Sequence, residues 1–384
     1  MTVRIRPAIR DLEMQQIGQV SSLAMGDPDV IPLWYGESDM PTPGFINDAA
    51  GAALAAGETF YTHKRGIPAL RAALADYTGA LYGAGVAEDR ISVTSSGMAG
   101  IMTAMQMLVD PGDNVVIVGP VWPNARAAVE IMGGEPRIAA LKFGNTGWTL
   151  DLDRLFEACD ARTRAIFINS PGNPTGWMMR RGQQQAVLDF ARENGLWILA
   201  DEVYGRIVYD RPVAPSFLEV AAPDDPVIVV NSFSKSWAMT GWRIGWLTHP
   251  PVCGDWVANL VEYSTSGTPT FLQHAALTAL RDGDALVVSM VDRCRRGRDV
   301  VGACLAALPR VRYRAPDAAF YAFFAVDGMV NSLDFAKRLV HEARVGLAPG
   351  TAFGPEGEGW LRLCFARAPA TLEQAVERLT PALK

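Results

Sequence analysis

A chain of 384 residues can hold one large domain with a smaller companion, or two of similar size, around an ample core. Its 49% hydrophobic and 20% charged content fits a soluble globular protein, and no run reaches the roughly 18 apolar residues that a membrane span needs. A formal net charge of -6, with no basic cluster beyond the short Arg293-Cys294-Arg295-Arg296, argues against a general nucleic-acid binder.

In chain order, the apolar spacing of Leu70 to Tyr82 predicts a helix, and Ile91 to Thr94 a short strand. Met98 to Leu108 is again helical, and the turn signal Pro111-Gly112-Asp113 precedes a strand over Asn114 to Val118. A helix over Ala125 to Ile131, a strand over Ala165 to Ile168 and a helix over Arg181 to Asn194 follow, then strands over Leu196 to Ala200 and Val227 to Val230. This alternation predicts an α/β fold with a mostly parallel central sheet and helices on both faces. Phe271 to Leu308 is helical, and beyond it Arg312 to Ala315 and Phe320 to Val326 predict strands of a smaller α+β unit.

Each predicted strand of the first set ends in polar residues. Ser95-Ser96-Gly97 follows the first, Trp122-Pro123-Asn124 the second, and Asn169 through Gly176 the third, while Asp201 closes the fourth and Ser232 to Lys235 the fifth. Ligands of open α/β sheets bind beyond the carboxyl ends of the strands, so five such ends predict one shared pocket.

The fifth end opens the run Ser232-Phe233-Ser234-Lys235-Ser236-Trp237-Ala238-Met239-Thr240-Gly241-Trp242-Arg243-Ile244-Gly245-Trp246. Two hydroxyls, an amine and a guanidinium lie close together there, as a cofactor with an aldehyde and a phosphate would require: a lysine can form a Schiff base with the aldehyde, and Ser232, Ser234 and Arg243 can bind the phosphate. If Trp242 to Trp246 is extended, Arg243 and Gly245 share one face, and the glycine leaves room for a bulky anion. Asp201 follows a run apolar enough to be buried on both faces, where a carboxylate needs a cationic partner. Taken alone it also reads as a cap of the next helix.

The Ser232 to Trp246 run resembles the cofactor-lysine motif of the fold-type I aminotransferases that use pyridoxal 5'-phosphate, specifically the class I/II, aspartate aminotransferase-like family. The resemblance runs from about Gly36 to Arg362. It implies a large cofactor-binding domain over residues 46–283 and a small domain built from residues 1–45 and 284–384. Lys235 would hold the cofactor aldehyde and Asp201 the pyridine nitrogen. Asp201-Glu202-Val203-Tyr204 matches the family's Asp-x-x-Tyr, so Tyr204 would reach the phenolic oxygen, as would Asn173 of Asn173-Pro174-Thr175-Gly176. Gly97 and Met98 would bind the phosphate through their backbone, beside Ser232, Ser234 and Arg243, and Trp122 would stack on the pyridine ring. Arg362, in the alternating run Trp360-Leu361-Arg362-Leu363-Cys364-Phe365, would fork onto the substrate α-carboxylate, with Asn173 and the backbone of Gly36 beside it. Tyr61, in Tyr61-Thr62-His63-Lys64-Arg65-Gly66, would contact the phosphate of the neighbouring subunit in a homodimer.

The expected reaction is transfer of an amino group between an L-amino acid and a 2-oxo acid. A lining of Met98, Trp34, Tyr35 and Phe353 would suit a neutral or aromatic substrate. The same scaffold also hosts β-eliminating C-S lyases and amino-acid oxidases. A non-catalytic regulator is disfavoured because only about 30 residues precede Leu33, too few for a DNA-binding domain. Five scattered cysteines without a Cys-x-x-Cys pair point to a reducing compartment, and His63, His249, His274 and His341 are too dispersed for a metal set. Met1 to Arg10 lacks a long apolar stretch, so a cytoplasmic enzyme is expected, with no metal, nucleic-acid or membrane partner.

Overall fold

The computed structural model describes residues 4–384; residues 1–3, the start of the segment read as free of a signal peptide, lie outside the described residues. A seven-stranded sheet forms from β1 (Ile91–Thr94), β2 (Asn114–Gly119), β3 (Glu135–Ala140), β4 (Thr163–Asn169), β5 (Trp197–Asp201), β6 (Val227–Ser232) and β7 (Gly245–Thr248), in the spatial order β1-β7-β6-β5-β4-β2-β3. Only β7 runs against the others; it is antiparallel to both β1 and β6. Two of these strands lack a clear sequence signal. β3 carries Glu135, Pro136 and Arg137 and stands at the sheet edge, where charge and proline are tolerated and the apolar pattern is weak. β7 overlaps the stretch expected to be extended from Trp242 to Trp246. Instead Thr240–Trp242 makes a tight turn, Arg243 is left-handed at φ 53°, and the strand begins only at Gly245.

The parallel strands are buried on both faces, which explains their nearly unbroken apolar runs. Val115, Ile117, Phe167, Leu199 and Ile228 pack with Ile101, Ala104 and Met105 of helix α1 (Gly97–Leu108). Their alternating neighbours Val116, Ile166, Ile198 and Val229 pack with Val187, Leu188 and Ala191 of α2 (Arg181–Asn194) on the opposite face. Successive strand residues point to opposite sides, so one run of sequence serves two cores. Among the predicted helices, α2 has the residues expected of it, α1 starts one residue earlier, and those expected at Leu70 to Tyr82 and Ala125 to Ile131 span Pro68–Tyr82 and Pro123–Met132. Both of these begin with proline at the first turn, where its missing N–H costs no bond.

The helical region expected over Phe271 to Leu308 is two helices, α3 (Thr270–Asp282) and α4 (Asp284–Ala306), separated at Gly283. Beyond them lies an antiparallel sheet of β8 (Val311–Arg312), β9 (Tyr321–Val326), β10 (Ala348–Pro349) and β11 (Trp360–Cys364), ordered β8-β9-β11-β10. The strand expected at Arg312 to Ala315 is therefore shorter and begins one residue earlier. Ile17, Val20, Leu33 and Trp34 from the N-terminal side share one apolar cluster with β9, β11 and Met290, Cys294 and Val301 of α4. No helix among the described residues is long and apolar enough to cross a membrane.

Candidate active site

Beyond the carboxyl ends of β1, β2, β4, β5 and β6, a cavity of about 200 Å³ opens against Tyr321 and Arg362, on the two inner strands of the smaller sheet. Gly36, Gly97, Met98, Trp122, Asn173, Asp201, Tyr204, Ser232, Ser234, Lys235, Arg243 and Arg362 all line it. All five polar strand ends thus reach one pocket. Tyr61 does not line it: this side chain is 94% exposed, in a separate surface groove beside residues 265–271.

Asp201 is the last residue of β5, in register with Asn169 of β4 and Val230 of β6. Its Oδ1 accepts only the Val203 amide, at 3.4 Å, and no cationic side chain among the described residues pairs with it. Burial pushes its carboxyl up to about 7. Asn169, to which the motifs assign no role of its own, ties two strand ends together. Its Nδ2 donates to the Asp201 carbonyl at 3.0 Å and its Oδ1 accepts the Asn173 amide at 2.7 Å. The signal for it is an asparagine closing an apolar strand, the same signal that singles out Asp201.

The Lys235 Nζ donates to the Gly36 carbonyl at 2.6 Å and faces the rings of Tyr204 and Phe320 at about 6 Å. Burial lowers its pKa to about 8, because an ammonium is poorly solvated among aromatic walls. A useful fraction of the amine is then unprotonated near neutral pH, as a nucleophile requires.

At the opposite end, Ser96 caps α1 by accepting the Ala99 amide at 3.0 Å, with its own backbone at φ 134°. The amides of Gly97 and Met98, at the helix start where no carbonyl of the helix can reach them, suit an anion. Ser232 Oγ donates to Ser234 Oγ at 2.8 Å and accepts the Ser234 amide at 3.1 Å. The left-handed turn at Arg243 sends its guanidinium back to the cavity, where one Nη1 bond goes to the Thr240 carbonyl at 2.6 Å. Gly245 has a different reason from the one its spacing implied. A Cβ there would lie 2.6 Å from both the Asn231 carbonyl and the Gly97 amide, so glycine lets β7 close onto the helix start instead of clearing space for the anion.

Arg362 lies on β11 opposite Phe323 and Ala348. Its Nη1 donates to Asn173 Oδ1 at 3.0 Å and its Nη2 to the Trp34 carbonyl, while Nε is buried without a partner. The guanidinium also faces the rings of Tyr321 and Phe353 at 4.6 and 4.9 Å. Trp34 and Phe353, expected in the lining, are instead buried in the apolar cluster behind it. The apolar wall is made by Ile17, Tyr35, Met98, Ile101 and Trp122.

Residues 28–379 match the sequence model of the family described as aminotransferase class I and II. An aspartate aminotransferase of Thermotoga maritima is 33% identical over 366 residues, which cover 95% of this chain and 94% of that protein. Aromatic-amino-acid aminotransferase 2 of Thermococcus litoralis is 33% identical, over 96% of this chain and 95% of its own. The crystal structure of the Thermotoga maritima aspartate aminotransferase has a TM-score of 0.92 at 32% identity, covering 99% of this chain and 100% of that one. The chain belongs to the class I and II aminotransferases.

As a member of that family it is a transaminase of fold type I that depends on pyridoxal 5'-phosphate. The cavity of this aminotransferase fits the cofactor on its own evidence. The buried Asp201 carboxyl has no ion-pair partner among the described residues, an amine of lowered pKa stands at Lys235, and two hydroxyls, a helix start and a guanidinium gather at the far end.

Proposed function

We propose that this aminotransferase moves an amino group between a neutral or aromatic L-amino acid and a 2-oxo acid, working as a cytoplasmic homodimer. The observation that carries the substrate class is the wall of Ile17, Tyr35, Met98, Ile101 and Trp122. Among the described residues the only basic side chains lining the cavity are Lys235, Arg243 and Arg362, so the lining that one subunit supplies has no fourth to pair with an acidic side chain. An apolar side chain of the substrate gains by leaving water against such a wall, whereas a carboxylate would lose solvation without a counter-charge.

Bound pyridoxal 5'-phosphate supplies an aldehyde that condenses with amines and a pyridinium that draws electrons from the substrate's Cα. Asp201 would pair with the pyridine nitrogen and keep it protonated. Tyr204 and Asn173 would bind the phenolic oxygen, and Trp122 the face of the ring. Ser232, Ser234, Arg243 and the backbone of Gly97 and Met98 would hold the phosphate. Arg362 would turn its spare Nε, and a bond now spent on Asn173, toward the α-carboxylate, with Gly36 alongside. Lys235 Nζ, once free, would take the proton from the substrate's Cα. The exposure of Tyr61 away from its own cavity supports its contact with the phosphate of a second subunit. The apolar cluster joining Ile17 to Trp34 with α4, β9 and β11 supports a small domain of residues 1–45 and 284–384 beside a cofactor-binding domain of residues 46–283.

The test is a half-reaction screen. Holoenzyme is mixed with single amino acids and the loss of its visible absorbance is followed. Phenylalanine, tyrosine or alanine should convert it faster than aspartate or glutamate; faster conversion by aspartate would overturn the substrate class.

A further inference from the structure

Tyr321 is the fully buried first residue of β9, paired across the sheet with Cys364, and sits among three groups of the site. Its hydroxyl is 2.6 Å from that of Tyr204. Its ring lies 4.6 Å from the centre of the Arg362 guanidinium. The same hydroxyl abuts Gly36 so closely that a Cβ there would fall 2.0 Å from it, and the Gly36 carbonyl is the acceptor for Lys235.

Two phenols at that distance share one hydrogen bond, so one donates and the other accepts. If Tyr204 donated to Tyr321, it would have no proton left to offer into the cavity. The Tyr321 hydroxyl has no other protein partner among the described residues, so giving its proton to Tyr204 costs it nothing. That arrangement also polarises Tyr204, since a phenol that accepts a hydrogen bond becomes a stronger donor.

We propose that Tyr321 is a positioning residue: its hydroxyl donates to Tyr204 Oη and so directs the Tyr204 proton toward the bound cofactor, while its ring holds the Arg362 guanidinium in place for the carboxylate. This rests on the cofactor placement given above. A weakened Tyr204 donor would leave more negative charge on the cofactor's phenolic oxygen and raise the proton affinity of the nearby Lys235 nitrogen.

The experiment titrates the visible band of the holoenzyme against pH in wild type, Tyr321→Phe, Tyr204→Phe and the double variant. Tyr321→Phe keeps the ring and should shift the midpoint upward by about 0.2 to 0.7 of a pH unit, with KM for amino acids close to wild type. Tyr204→Phe should shift it further, and adding Tyr321→Phe to that background should change nothing more. Tyr321→Leu, which removes the ring as well, should raise KM roughly 3- to 10-fold. An unmoved midpoint in Tyr321→Phe, or a shift that persists in the Tyr204→Phe background, overturns the proposal. A wild-type protein that forms no pH-dependent visible band overturns the cofactor placement instead, and thermal unfolding of each variant separates either result from misfolding.

Discussion

The two walls of the cavity treat charge in opposite ways. On the large-sheet side, Asp201 is a buried carboxyl with a single weak backbone bond and no ion-pair partner among the described residues. On the small-sheet side, Arg362 is a buried cation already engaged with an amide oxygen, a carbonyl and two aromatic faces, with one nitrogen spare. That contrast matches the ligands assigned to the two walls in the proposed function. A resident cofactor can leave its carboxylate unpaired between loadings because protonation relieves it, as the rise to about 7 indicates. Arginine has no such escape, since it stays charged at any ordinary pH. Its partners are built into the protein, and under the proposed function they would yield to the substrate carboxylate.

The contrast can be challenged at several points. Lys235→Ala should abolish the visible band and reduce turnover by roughly a thousandfold or more, the scale of losing a positioned acid–base group together with the covalent anchor. Absorbance spectra and steady-state rates check it, and an unchanged spectrum would remove the lysine from the site.

Asp201→Asn tests the waiting wall directly, and should lower kcat by roughly 10² to 10³-fold because an amide cannot hold a charged ring nitrogen. It also has a pH signature without cofactor. The folded carboxyl keeps its proton to about pH 7, whereas the unfolded chain gives it up near 4, so the native state binds more protons in between. Stability of the cofactor-free protein should therefore fall as pH rises from about 4 to 7, and Asp201→Asn should flatten that fall. Denaturant melts at pH 5 and pH 8 measure the difference.

Arg362→Lys probes the other side. Charge is retained but the fork is lost, and kcat/KM for amino acids should drop roughly 10- to 100-fold, corresponding to about 1.5 to 3 kcal/mol. A flat kcat/KM would put the carboxylate clamp elsewhere. The smallest effect is expected from a residue on neither wall: Tyr61→Phe removes one hydroxyl and should weaken cofactor retention by about 1 kcal/mol, seen by titrating the apo-protein. If retention is unchanged, the cross-subunit contact is absent.

The large-sheet wall is legible in the sequence because it is made of strand ends. Each apolar run stops at a polar residue, and the parallel topology must bring those stops to one edge, so Gly97, Trp122, Asn173, Asp201 and Lys235 can be gathered by reasoning about strands alone. The small-sheet wall is not. Gly36 lies in a bend near one end of the chain, and Tyr321 and Arg362 near the other, inside strands whose pattern says only that they are buried. Arg362 and Gly36 come from the family resemblance, and Tyr321 acquires a role only through the closeness of its hydroxyl to Tyr204. Gly245 shows the same limit on a smaller scale: its presence is visible in the motif, but the reason for it is a contact with Gly97.

Local periodicity and the residue types at strand ends were enough to specify the α/β class and a common pocket holding a lysine, a buried acid and hydroxyls; the roles expected of those groups came from the family resemblance. What surrounds Arg362, which side chains make the apolar wall and where the unpaired polar atoms point were settled by tertiary packing alone. Those depend on how close distant segments come, and a distance of two or three ångströms between groups far apart in the chain leaves no trace in local pattern.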